Sequence, residues 1–216
     1  MKILFVTSYD EQTSANLLIA NNILDGDEVF ICEKQANRES FYSRFPHLNN
    51  AYLMIMSHGD SCLVLDNNKE VIISLDDFDK FSNTKFFLWA CNTSRILGEK
   101  ISQNSNIWWG YNCPITAPIN DEKYKDFYIR IFRIIKSRYV DGIDESTVHQ
   151  ILNEIKSICD EINQQLDNMI ESGLVEIQDS MSIYSCFRNI WANLVVWLSP
   201  QNSIKHSEAP EGLLDI

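Results

Sequence analysis

Four short, almost wholly apolar runs punctuate the first 120 residues: 2–8 (KILFVTS), 51–57 (AYLMIMS), 85–90 (KFFLWA) and 106–111 (NIWWGY). A strand that is apolar at nearly every position has no face to give to water, so it must be covered on both sides. The stretches between the runs supply that cover. Residues 13–24 (TSANLLIANNIL) read as a helix opening on Thr13 or Ser14, residues 39–46 as a short one stopped at Pro46, and 94–102 as a third. Residues 28–33 (EVFICE) add a strand after the Asp25-Gly26-Asp27 turn, and 62–65 with 70–74 read as a hairpin around Asp66-Asn67-Asn68. The alternation predicts an α/β fold, a three-layer sandwich with a mostly parallel sheet and helices on both faces.

Beyond residue 120 the pattern turns helical. Tyr124, Phe127, Ile131, Ile134 and Ile135 share one face of a helix over 121–139, and Asp141-Gly142 marks a turn. Val148, Leu152, Ile155, Cys159, Ile162, Leu166 and Met169 then step alternately by four and three, a heptad seam on a helix over 145–171. That seam predicts packing on the chain's own helices, or a coiled-coil contact with a regulatory protein partner. A last helix is predicted over 184–198 from Phe187, Ile190, Trp191, Leu194, Val195 and Trp197. The expected organisation is a core over 1–120, a helical part over 121–199 packed on or extending it, and a flexible tail over 200–216.

Bulk properties narrow the function classes. The chain of 216 residues carries 18 basic and 30 acidic side chains, for a net charge of -12. Long-range repulsion then opposes nucleic-acid backbones and anionic membranes, so neither is expected as a partner. The apolar start is too short for a signal peptide, and no run approaches the roughly 20 residues of a membrane span. Six scattered cysteines without a CxxC pair suit reduced thiols in a cytoplasmic protein.

In a parallel sheet, chemistry gathers at the carboxyl ends of the strands. Ser8-Tyr9-Asp10, Ser57-His58-Gly59, Cys91-Asn92-Thr93 and Tyr111-Asn112 are predicted to share that edge. An imidazole beside a thiol favours the thiolate and can protonate a leaving amine, so His58 and Cys91 are the candidate catalytic pair. The N–H groups of Gly59 and Cys91 are candidate oxyanion donors, and the start of the following helix would favour both negative charges. His58, Cys62, Cys91 and Cys113 could instead ligate zinc, but their spacing matches no common zinc pattern, and no metal or cofactor is expected. His149 is placed on an outer helix face, and His47 and His206 in loops.

An apolar strand ending in His58-Gly59, then one ending in Ala90-Cys91-Asn92-Thr93-Ser94, resembles the caspase-like cysteine peptidases, and within them the bacterial CHAT branch related to separase. Trp108-Trp109-Gly110-Tyr111, Pro114-Ile115, the helix around Phe127-Tyr128, Gly142 and Ser146-Val148 follow in the family's order, so the resemblance covers roughly residues 1–160. It implies a cysteine endopeptidase that cuts a protein partner, an effector of bacterial immunity or cell death that a protein partner activates. It also implies a P1 pocket near Asp10 and Trp89. Caspases carry Gln-Ala-Cys with the histidine roughly 50 residues upstream. Here the motif is Trp-Ala-Cys and the separation is 91 − 58 = 33, with no basic residue at the expected pocket edge, so a basic or small P1 residue is expected rather than an acidic one. Two other readings share the α/β pattern. One is a catalytically inactive caspase-like interaction module. The other is a flavodoxin-like binding domain, for which the 7 glycines form no phosphate loop.

Overall fold

A computed structural model of the chain describes residues 1–116, 122–138 and 143–210. In chain order its elements are β1 (Lys2–Val6), α1 (Glu11–Ile23), β2 (Glu28–Cys32), α2 (Arg38–Arg44), β3 (Leu48–Asn49), β4 (Tyr52–Met56), β5 (Leu63–Leu65), β6 (Val71–Ser74), β7 (Phe81–Ser82), β8 (Lys85–Trp89), α3 (Leu97–Ile101), β9 (Ile107–Tyr111), α4 (Glu122–Arg138), α5 (Glu145–Glu171), α6 (Ile177–Ala192), β10 (Leu194–Ser199) and β11 (Asn202–Ile204).

Seven strands form the main sheet in the order β11-β10-β9-β8-β4-β1-β2. The five from β2 to β9 run parallel, and β10 and β11 extend the sheet antiparallel. Alternate residues of the apolar runs feed two separate cores. Leu4, Val6, Met56, Phe87, Trp89 and Trp109 face α1, α4, α5 and α6, while Ile3, Phe5, Ile55, Phe86, Leu88 and Trp108 face α2, α3 and the β5–β6 hairpin. The result is a mixed α/β fold of three layers, as expected of strands with no polar face.

The chain enters at β1, moves outward to β2, then returns to the other side of β1 as β4. A reversal of this kind opens a crevice at the carboxyl ends of β1 and β4. The next strand, β8, lies against β4 in register, so the residues after β1, β4 and β8 meet at one edge.

Three expectations need correction. First, α1 begins at Glu11, not at Thr13: Asp10 is its cap, accepting from Thr13 N–H while Thr13 Oγ1 accepts from Asp10 N–H. Second, the last helix ends at Ala192, and 194–199 is a strand paired with β9. Leu194, Val195 and Val196 are contiguous, β-branched in part and buried, which periodicity alone cannot tell from a helix core. Third, residues 202–204, expected in a flexible tail, form β11, and His206 is buried against Trp191 rather than in an open loop. The heptad seam of α5, by contrast, packs on the chain's own helices, the first of the two readings expected of it: Val148, Leu152, Ile155, Cys159, Ile162 and Leu166 are buried in the core shared with α4 and α6. Each buried aliphatic side chain there contributes about 1.5–3 kcal/mol. The seam is therefore covered by this chain, and a partner on α5 would meet its outer face. Asp141-Gly142 lies outside the described residues. Among the described residues no helix is long and apolar enough to cross a membrane.

Candidate active site

The residues after β1, β4 and β8 build one small cleft. Ser57, His58, Trp89, Ala90 and Cys91 line it together with Thr13 and Asn16 of α1 and Ile115 and Thr116 of the segment after β9. The two chemistry-bearing side chains predicted from the sequence thus share a cavity. Gly59 is the joint between their two loops. A Cβ there would come within 2.9 Å of Thr93 Cγ2 and 3.1 Å of Ala90 Cβ, so only glycine lets the histidine loop lie this close to the cysteine turn. Its neighbours are pinned on the other side, where Leu65 N–H donates to the His58 carbonyl and Asp60 N–H to that of Leu63.

His58 is oriented by Asp10. Nε2 lies 2.8 Å from Asp10 Oδ2, and the His58 ring tilts against Tyr9 at 5.6 Å between centroids. The other Asp10 oxygen, Oδ1, accepts from Thr13 N–H at 2.9 Å and Thr13 Oγ1 at 2.7 Å. Burial pushes the Asp10 carboxyl up, but the two Thr13 donors and then His58 outweigh it and hold it below its ordinary value. An ionised Asp10 can only accept a hydrogen bond, so a neutral ring donates its Nε2–H to it and has Nδ1 as its free nitrogen. The sequence reading set Asp10 at the rim of a P1 pocket, but both of its oxygens are committed to Thr13 and His58. A substrate cation would have to displace one of them.

Cys91 leads a tight turn. Asn92 takes the left-handed conformation at φ 58°, which asparagine tolerates better than most residues. The turn is held by Asn92 N–H on the Cys113 carbonyl, Ser94 N–H on that of Tyr111 and Arg95 N–H on that of Asn92. The helix expected to start at residue 94 begins only at Leu97 and is five residues long, so its N-terminus does not serve the thiol. Another donor does. Ile115 N–H points to Cys91 Sγ at 3.4 Å, and Sγ lies 3.5 Å from the Ile115 carbonyl. Among the described residues, the N–H groups of Gly59 and Cys91 donate to no protein acceptor, which leaves both available to an incoming oxygen.

Trp89, the other expected pocket residue, is 3% exposed. It packs edge-on against Tyr111, Tyr128 and Phe132 in the core, and it also lines the cleft. Cys113 lies behind the site, where burial, and then Cys91, push its thiol up to about 12. His58, Cys62, Cys91 and Cys113 do not gather as a ligand set; among the described residues only Asp25, Asp27 and Glu28 bring three ligand atoms within 4.8 Å of one another.

Two contributors escaped the sequence reading. The Ile115 main chain carries no side-chain signal. Asn16, not singled out within the predicted helix, is 5% exposed and lines the cleft. An asparagine inside an otherwise apolar helix face was the available signal. No family model matches this chain, and no curated protein matches it.

Proposed function

We propose that the chain is a cysteine endopeptidase on a caspase-like fold, with Cys91 as nucleophile, His58 as its base and acid, and Asp10 holding the imidazole. The observation that carries this reading is the cleft lined by both Cys91 and a histidine whose Nε2 is bound by a carboxylate. Structural histidines at strand ends need no such partner, and a base held by a third group is the recurring logic of nucleophilic catalysis.

The chemistry follows from these positions. His58 Nδ1 takes the Cys91 proton, and the thiolate attacks the scissile carbonyl carbon. Negative charge then collects on the carbonyl oxygen, where the N–H groups of Gly59 and Cys91 are free to donate, a contribution of about 3 kcal/mol per good donor. The imidazolium, stabilised through Nε2 by Asp10, returns the proton to the leaving amine. Water, deprotonated by the same nitrogen, releases the thioester.

The alternative is an inactive interaction module on the same fold. Its supporting observation is that Cys91 Sγ rests on the Ile115 main chain. In the peptidase reading this is a resting state: the residue 115 segment, tied to α4 by the Tyr128 hydroxyl and to α6 through Thr116 and Cys186, is the path by which a bound partner would free the thiol. Co-expression with candidate protein substrates, comparing the wild type with Cys91→Ala, tests the proposal. A fragment that appears only with the wild type supports the peptidase. Identical patterns with and without the thiol favour the interaction module.

A further inference from the structure

A second, larger opening lies against the turn that carries Cys91. It is an open groove between Ser61 of the His58 loop, Arg95 of the Cys91 turn, Asn112 after β9 and Lys205 after β11, and it shares no lining residue with the catalytic cleft. Its volume of about 470 Å³ falls within the roughly 300–1,000 Å³ over which clefts hold ligands. Charge sets the groove apart. The chain carries 30 acidic side chains against 18 basic ones, yet among the described residues lining the groove two are basic and none is acidic.

Both cations are placed by the fold. Arg95 Nε donates to the Asn112 carbonyl at 2.8 Å, and Arg95 N–H donates to that of Asn92. The Asn112 amide, turned to donate to the Asn193 carbonyl, accepts from Lys205 Nζ at 3.2 Å. The nearest acid to Lys205 along the chain, Glu208, is taken by Lys156 at 3.3 Å, and Lys205 pairs with no carboxylate among the described residues. Ile96, 48% exposed, and Trp197, whose Nε1 is spent on the Ser94 carbonyl, add an apolar wall.

We infer that this groove docks an acidic segment of a protein partner, with its carboxylates toward Lys205 and Arg95. A carboxylate entering there gains charge-assisted hydrogen bonds. A basic segment meets two like charges, and a neutral one has nothing to pair. Both cations are exposed, so the gain lies in discrimination and steering more than in raw affinity. Elsewhere the net charge of -12 repels acidic chains, so the groove also fixes where such a partner lands. A nucleic acid fits less well, because its phosphates run on past the groove into that repulsive field. The inference goes beyond the peptidase reading and holds whether or not Cys91 cuts.

The test uses the full chain and fluorescein-labelled peptides of four glutamates, four glutamines or four lysines between Gly-Ser ends, read by fluorescence anisotropy at low salt. The glutamate peptide should bind at least about tenfold tighter than the other two and weaken as salt rises. Lys205→Glu, at an exposed position, should weaken it about tenfold, Lys205→Gln less, and Lys205→Arg should keep it. Lys34→Glu makes the same change in net charge after β2, at the other end of the sheet, and should leave binding within about twofold. Equal binding of the glutamate and glutamine peptides, no binding of the glutamate peptide, or equal losses in Lys205→Glu and Lys34→Glu overturns the inference. So does an oligothymidylate that binds as tightly as the glutamate peptide. Alkylation of Cys91 reports on the peptidase reading separately, so the two stand or fall apart.

Discussion

Two parts of the molecule bury polar side chains in opposite ways. Under the β5–β6 hairpin, Asp66 and Asp77 are fully satisfied. Asp66 accepts from the N–H groups of Asn68 and Glu70 through one oxygen and of Arg38 through the other; Asp77 accepts from Arg38, Lys80 and both the N–H and hydroxyl of Ser74. At the carboxyl edge of the sheet, Asn16 and Asn92 each bury a carbonyl oxygen with no partner among the described residues, where the Cys91 thiol makes only long contacts. The hairpin network fixes a shape, and its polar groups are complete without a ligand. The edge leaves donors and acceptors open, which is what a surface that must recognise something in passing requires.

That contrast can be broken most directly at Asp77. Asp77→Ala strands Arg38 and Lys80 around an empty site and should lower stability by about 3 kcal/mol, read from urea unfolding midpoints. Cys91→Ala, on the open edge, should shift the same midpoint by less than about 1 kcal/mol while abolishing any cleavage. Equal losses at the two places would erase the distinction. A loss between these two is expected at Gly59, where alanine forces its Cβ against Thr93 and Ala90. Gly59→Ala should cost about 1–3 kcal/mol and slow alkylation of Cys91, because the two loops must part.

Asp10 sits between the two regimes, since it is both a helix cap and the partner of His58. Asp10→Ala should cost about 1 kcal/mol at pH 7 through the lost cap. The Asp10 carboxyl lies below its ordinary value of 3.8 in the folded chain, so its contribution is present above 3.8 and is lost as pH falls through the lower folded value. Unfolding midpoints of wild type and variant should converge on that descent. The smallest effect concerns His206, which follows β11 and packs on Trp191 of α6. Burial holds its imidazole below the ordinary 6.5, against the raising influence of Glu208. The stability that it contributes as a neutral ring is therefore present above pH 6.5 and lost as pH falls past the folded value. Amide exchange in β11 should rise on acidification, and His206→Phe should flatten the rise.

The satisfied parts of the molecule were also the more legible ones. The apolar runs announced a covered parallel sheet, Asp66-Asn67-Asn68 announced the hairpin, and the seam from Val148 to Leu166 announced α5. These signals are local, so they survive without knowledge of the neighbours. The strand at 194–199 was not legible, because a contiguous apolar run has no period, and its pairing with β9 decides its state. At the site, His58 and Cys91 could be named because both follow buried strands. The link from Asp10 to His58 could not, since it spans 48 positions and exists only because β4 returns beside β1. The hold of Ile115 on the thiol is a main-chain contact, and side-chain chemistry gives no hint of it.

The central claim is that His58 makes Cys91 a nucleophile, and competitive alkylation tests it most directly. The intact chain is treated with substoichiometric iodoacetamide at neutral pH, and labelling of its six cysteines is followed by mass spectrometry in the wild type and in His58→Ala. The account predicts that Cys91 reacts fastest in the wild type, that Cys113 stays inert behind its raised pKa, and that His58→Ala slows Cys91 alone. An inert Cys91 with Cys62 or Cys186 labelling ahead of it, or a Cys91 rate indifferent to His58, would contradict it.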